Sequence, residues 1–161
     1  MEKIKIIGSG LTGPLLSILL AQRGYQIDLF EKRVDPRKES LSAGRSINLA
    51  LSYRGIKALK KANIFHKIEP LLIPMKGRMI HHENGDLDFQ PYSINTTEFI
   101  NSVSRAELNK ILMSASEDTG NVNIHFDQAL IDVTNEELKF CNGEKTPNYG
   151  IIIGADGAGS Q

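Results

Sequence analysis

Cysteine occurs once in the 161 residues, at Cys141. With no second thiol there is no internal disulfide, which fits a reducing compartment. A lone cysteine of this kind is expected to be a small buried hydrophobe with no chemistry of its own. An excess of one charge is missing too: Lys plus Arg and Asp plus Glu number 19 each, for a formal net charge of zero. A nucleic-acid binder usually carries a basic surplus, so the balance argues against that class, although it is compatible with a local basic patch. No apolar run is long enough to span a bilayer; the longest, after Leu11, is interrupted by Ser17 and Gln22. The opening residues, MEKIKIIGSG, hold no apolar stretch behind a basic segment and so no secretory signal. Repeats and low-complexity tracts are absent, as are a Ser-His-Asp set and a metal-ligand set. The expectation is a soluble, cytoplasmic protein that engages neither nucleic acid nor membrane.

What is present is an ordinary globular composition, 40% hydrophobic and 24% charged, in a chain long enough to bury a core as one domain. Residues 3–7 (KIKII) predict a short buried strand. Small residues follow, then an apolar stretch from Leu11 to Ala21 that predicts a helix ended by Gly24. Gln26 to Glu31 predicts a second strand, giving a β-α-β start and a parallel sheet. Polar residues 32–44 predict a loop and Arg45 to Leu51 a short strand. Arg54 to Ala62 predicts a helix with Ile56 and Leu59 on one face and Lys57, Lys60 and Lys61 on the other. Asn84-Gly85 centres a β-hairpin between RMIHH and LDFQPY. Glu98 to Val103 predicts a strand. Ser104 and Glu107 form a capping box ahead of Leu108, Ile111, Leu112 and Ala115 at helical spacing, with Gly120 as the stop. Asn123 to Thr134 predicts one or two strands, Leu138 to Cys141 another, and Ile151 to Ile153 a fully buried one.

Two motifs carry chemistry. Gly8-Ser9-Gly10-Leu11-Thr12-Gly13 is a G-x-G-x-x-G that follows a strand and opens a helix, the context a dinucleotide site requires. Gly8 permits the tight turn, Gly10 lets the backbone approach a pyrophosphate, and Gly13 lets helix and strand pack closely. Free amides at the helix start, Leu11 among them, suit the phosphates. Pro14 lies in the first turn, where a missing N–H does little harm. Glu31 ends the second strand, where a carboxylate accepts hydrogen bonds from the ribose hydroxyls of adenosine and repels a 2′-phosphate, which argues against NADP in this site. The second motif, Gly154-Ala155-Asp156-Gly157 after three isoleucines, is either a ligand approach or a plain β-turn on residue chemistry alone. His81 and His82 are neighbours on one strand, so they point to opposite faces and are assigned no role.

The pairing of an early GxGxxG with a later GADG resembles the class A flavoprotein monooxygenases. GRSINLAL (Gly44 to Leu51), GRM (Gly77 to Met79), QPY (Gln90 to Tyr92) and VSRAELNKIL (Val103 to Leu112) are similar, in order and spacing, to the kynurenine 3-monooxygenase family. The resemblance covers essentially the whole chain. It implies an α/β, Rossmann-like FAD/NAD(P)-binding fold with a central parallel sheet, residues 1–161 forming the FAD-binding domain. Residues 70–100 form an inserted antiparallel hairpin region from the start of the substrate domain.

The resemblance also implies roles. FAD is the cofactor and NADPH a transient reductant. Gly8, Gly10, Leu11, Gly13, Glu31, Arg33, Arg105 and Asp156 bind cofactor, Arg33 beside the adenosine and Arg105 on the flavin nucleotide. Arg78 and Tyr92 hold the carboxylate of an aromatic amino acid, L-kynurenine, and no residue acts as a catalytic acid or base. Family members are longer and carry a later Gly-Asp segment, more of the substrate sheet and C-terminal helices. The expectation is therefore a fragment inactive alone, with an apolar face prone to self-association. Two other readings share the GxGxxG and Glu31: a different FAD- or NAD-linked oxidoreductase, which leaves GRSINLAL, Arg78 and Tyr92 unexplained, and a non-catalytic nucleotide-binding fragment.

Overall fold

A computed structural model describes residues 3–38, 47–95, 98–148 and 150–158. The strands are β1 (Lys3–Ile7), β2 (Gln26–Phe30), β3 (Asn48–Leu51), β4 (Ile73–Met75), β5 (Gly77–His81), β6 (Leu87–Pro91), β7 (Ile100–Ser104), β8 (Val122–His125), β9 (Leu130–Val133), β10 (Glu137–Phe140), β11 (Lys145–Pro147) and β12 (Ile151–Gly154). The helices are α1 (Thr12–Ala21), α2 (Tyr53–Lys61), α3 (Phe65–Ile68) and α4 (Arg105–Glu117), with a 3-10 turn at Glu69–Leu71. The chain divides into two compact units, one made of Met1–Gly44 with Leu108–Gln161 and the other of Arg45–Glu107.

The first unit is built on a four-stranded sheet in the order β12-β1-β2-β8, with every neighbouring pair parallel. Alternation along the strands sorts two faces. Ile4, Ile6, Ile27 and Leu29 turn to one side and form a core with Ala21, Leu16 and Leu20 of α1 and with Val122. Ile7 and Phe30 turn to the other side, where they pack on Leu138 and Phe140 of β10. The rings of Phe30 and Phe140 stack at 4.8 Å. A three-stranded antiparallel sheet, β11-β10-β9, thus covers the face opposite α1, giving the three layers that a parallel sheet needs to bury both sides. The polar residues on that second face are paired: Asp28 meets Lys3 Nζ at 2.6 Å and His125 Nε2 at 3.1 Å.

The second unit holds an antiparallel sheet, β3-β7-β4, and the separate hairpin β5-β6. The hairpin pairs Arg78 with Gln90 and Met79 with Phe89 around the Asn84-Gly85 turn. Gly85 there has φ +90°, the left-handed conformation that makes Asn-Gly a turn former. In α2, Leu59 is buried while Lys57, Lys60 and Lys61 are exposed, as the amphipathic spacing predicts. Ser104 Oγ accepts the Glu107 amide at 3.4 Å, which is the serine half of the predicted capping box.

Two expectations are corrected. Cys141 is exposed. Alternation in β10 buries Leu138 and Phe140, and the chain then turns outward at Cys141 toward β11. Ile151 to Ile153 form a strand that is not fully buried: Ile151 is 47% exposed because β12 lies at the edge of the parallel sheet. The short strands β4 and β11 and the turns over residues 65–71 lack periodicity long enough to register in the sequence. The GRSINLAL string lies partly outside the described residues, which resume at Ile47. Among the described residues no helix is long and apolar enough to cross a membrane.

Candidate nucleotide-binding site

The site is assembled at the C-terminal ends of β1, β2 and β12. The chain leaves β1 at Ile7 and turns through Gly8, whose φ of +102° is open to glycine and costly for other residues. Its amide donates to the Phe30 carbonyl at 2.7 Å, and the Ala155 amide donates to the Ile7 carbonyl at 2.7 Å. The first bond ties the turn to β2, and the second holds the GADG segment beside the end of β1. A Cβ on Gly8 would lie 2.5 Å from Asp156 Cα, and one on Gly13 would lie 2.0 Å from the Gly8 carbonyl oxygen. Neither separation is tolerable, so protein packing alone demands glycine at both positions.

Gly10 differs. A Cβ there would meet nothing within 4 Å, so no neighbouring protein atom requires glycine. A bare backbone at the tip of the turn is what close approach of a diphosphate requires. Leu11 and Thr12 follow as the start of α1, whose first turn has no side-chain cap and no acidic residue. Its amides are therefore available to an anion, and Pro14 removes one donor that would otherwise need a partner. Residue types and geometry fit a dinucleotide phosphate.

Glu31 sits just past β2 and is 3% exposed. Its carboxylate is aimed into the turn: Oε2 accepts the Ser9 amide at 2.9 Å. Oε1 accepts the Arg33 amide at 3.1 Å and Arg33 Nε at 2.8 Å. Burial pushes the carboxyl pKa up, but the bonds from Arg33 and from the Ser9 amide outweigh it and hold Glu31 below the usual carboxylate range. The acid is thus charged and fixed. A carboxylate offers about four acceptor positions, and three are taken. A sugar hydroxyl must use the fourth or displace Arg33 Nε. The Arg33 side chain is 61% exposed, so moving it costs little.

On the other flank of the turn, Asn109 of α4 donates through Nδ2 to the Ser9 carbonyl at 3.2 Å. Ser9 itself is fully buried. Its Oγ and Asn109 Oδ1 are buried without a partner among the described residues. The sequence reading assigns neither residue a role; Asn109 lies inside the VSRAELNKIL string, but nothing local marks it as reaching the turn.

The first unit therefore gathers Gly8, Gly10, Leu11, Gly13, Glu31, Arg33 and Asp156. Arg78, Tyr92 and Arg105 belong to the second. Arg78 Nε donates to Gln90 Oε1 at 2.7 Å, and the Tyr92 amide extends the ladder to the Lys76 carbonyl at 3.0 Å. Arg78 sits opposite Gln90 in the hairpin register, and Tyr92 follows one residue past the end of β6. Arg105 is an exposed residue at the start of α4. Among the described residues no group of three His, Cys, Asp or Glu is placed to hold a metal.

Comparison with known proteins gives the family and the fold. The chain is 44% identical to the kynurenine 3-monooxygenase of Legionella pneumophila (strain Corby), across 99% of this chain and 37% of that protein. It is 41% identical to the kynurenine 3-monooxygenase of Myxococcus xanthus (strain DK1622), across 99% and 36%. The chain thus spans a little over a third of the length of these relatives. Among solved structures, 2-methyl-3-hydroxypyridine-5-carboxylic acid oxygenase shares the fold, with a TM-score of 0.78 at 20% identity over 99% of this chain and 40% of that one. The FAD binding domain family matches residues 1–161. With that match covering the whole length of the sequence, the chain belongs to the FAD binding domain family.

Proposed function

We propose that this chain is the FAD-holding part of an aromatic-ring hydroxylase that converts L-kynurenine to 3-hydroxykynurenine with NADPH and O2. The observation that supports this most directly is the Glu31–Ser9 bond, which ties the sugar-binding acid to the phosphate-binding turn, in a chain 44% identical to a kynurenine 3-monooxygenase. In this reading the amides from Gly10 and Leu11 face the diphosphate, and Gly8 and Gly13 shape the turn. Glu31 accepts from the ribose, Arg33 lies beside the adenosine, and Asp156 borders the turn from β12. Arg105 contacts the flavin nucleotide. FAD, when bound, would supply the redox and oxygen chemistry, and the residues of this chain would hold and orient it. No side chain need act as an acid or base.

Residues 70–100 form the substrate-side insertion. Arg78 of β5 and Tyr92, just past β6, hold the substrate carboxylate, and a charge-assisted bond of this kind contributes about 1.5–3 kcal/mol. The 161 residues alone bind FAD without completing the reaction. The purified chain mixed with FAD is expected to keep flavin absorbance through gel filtration. In a full-length protein bearing this sequence, L-kynurenine is expected to accelerate flavin reduction by NADPH, and Arg78→Ala to abolish the acceleration. No effect of kynurenine on the reduction rate would overturn the substrate assignment, and vigorous oxygen uptake by the 161 residues would overturn their dependence on the remainder.

A further inference from the structure

Ser9 is gripped on both sides of its own residue. Its N–H donates to Glu31 at 2.9 Å, and its C=O accepts from Asn109 Nδ2 at 3.2 Å, across 100 positions of sequence. The Ser9 carbonyl and the Gly10 amide belong to one planar trans peptide, in which C=O and N–H point in opposite directions. Drawing the carbonyl toward α4 therefore drives the Gly10 N–H away from α4. Gly10 is also the residue at which a Cβ would meet nothing within 4 Å, so no protein atom fills the space beside its Cα.

We infer that Asn109 is a positioning residue for the nucleotide site: it sets the plane of the Ser9–Gly10 peptide so that the Gly10 amide faces the diphosphate before the ligand arrives. The inference rests on the nucleotide-binding reading above. A second feature supports a purpose beyond packing. Asn109 Oδ1 is buried without a partner among the described residues, a cost that a leucine of the same size would not carry. The carboxamide is kept for its donor. Glu31 orients the preceding peptide through the Ser9 N–H, so acid and amide together fix two consecutive peptide planes, one from β2 and one from α4. Preorganised donors of this kind need no reorientation when an anion binds.

The test uses the chain itself with two variants, Asn109→Leu and Asn109→Asp, each of similar size and each lacking the donor. Far-UV circular dichroism and the thermal midpoint identify the folded variants. In these, 15N relaxation is expected to drop the Gly10 order parameter from about 0.85 to below about 0.6, with Leu29 and Ile124 in the neighbouring strands unchanged. FAD affinity by flavin fluorescence is expected to weaken about tenfold. An unchanged Gly10 order parameter in either folded variant overturns the inference. So does a loosened Gly10 with FAD affinity within twofold of the parent, because that amide would then not matter to the ligand. Unfolding of both variants also overturns it, since Asn109 would then be structural. If the parent chain binds no FAD, the nucleotide reading fails, while the relaxation comparison still decides whether Asn109 holds the turn.

Discussion

At the scale of single residues, the site depends on groups that cannot be exchanged for their nearest chemical neighbours. Glu31→Gln keeps the shape of the side chain, but its NH2 must face either the Ser9 amide or the Arg33 donors, and donor then meets donor. A loss of about 1–3 kcal/mol in urea unfolding is expected, the cost of a buried donor left unsatisfied, together with FAD binding weaker by about tenfold. A variant as stable as the parent would show that the buried carboxylate does not hold the turn. Two glycines separate strain from clash. Gly24 has φ +87° and nothing within 4 Å of a built Cβ, whereas Gly8 has φ +102° with Asp156 Cα at 2.5 Å. Gly24→Ala is expected to cost about 1 kcal/mol, the price of the backbone conformation alone. Gly8→Ala should cost clearly more and displace the GADG segment. Equal midpoints for the two in denaturant would contradict the close approach.

Elements differ in how well their surroundings complete them. β2 is paired on both edges and covered on both faces, so its apolar run has no exposed side. The β5-β6 hairpin has only two strands, and a two-stranded sheet is marginal by itself. Register puts Met79, Leu87 and Phe89 on one face, and they are 50%, 60% and 52% exposed. Exposed apolar side chains grouped on one face favour association. The 161 residues should therefore self-associate at high concentration, and Phe89→Ser should shift the sedimentation profile toward monomer. Sedimentation as a single monomer by the parent chain at high concentration would remove the basis for this expectation.

Across the whole molecule, acid is the expected weak point of the first unit. The buried carboxylates of the first unit, Glu31, Asp28 and Asp35, titrate below their ordinary values. At Asp28, burial opposes the shift, and bonds from Lys3 and His125 overcome it. At Asp35, the Arg37 side chain leads, donating to both carboxylate oxygens at 2.8 Å. A carboxyl whose folded pKa is depressed adds stability above its unfolded pKa, roughly 4, and that stability is lost as pH falls through the folded value. Urea midpoints should be level from pH 7 to about 5 and fall steeply from about 4 toward 2. Glu31→Gln should flatten part of that fall. Midpoints independent of pH over this range would mean that these ion pairs contribute nothing to folding.

What the chain determined by itself is the part governed by neighbours in sequence. KIKII, the glycine turn, the apolar helix and the strand ending at Glu31 lie within thirty-one residues, and their periodicity and turn chemistry are local. The Asn84-Gly85 hairpin and the Ser104 cap are legible for the same reason. Tertiary structure decided what depends on strands meeting from far apart. The parallel order β12-β1-β2-β8 brings Asp156 against Gly8, and no spacing rule announces it. α4 reaches the same turn through Asn109. The exposure of Cys141 and of Ile151 follows from a turn and a sheet edge rather than from residue type. Local pattern records which backbone conformation is cheap; the contacts that orient the nucleotide turn come from packing layers whose members are remote in the chain.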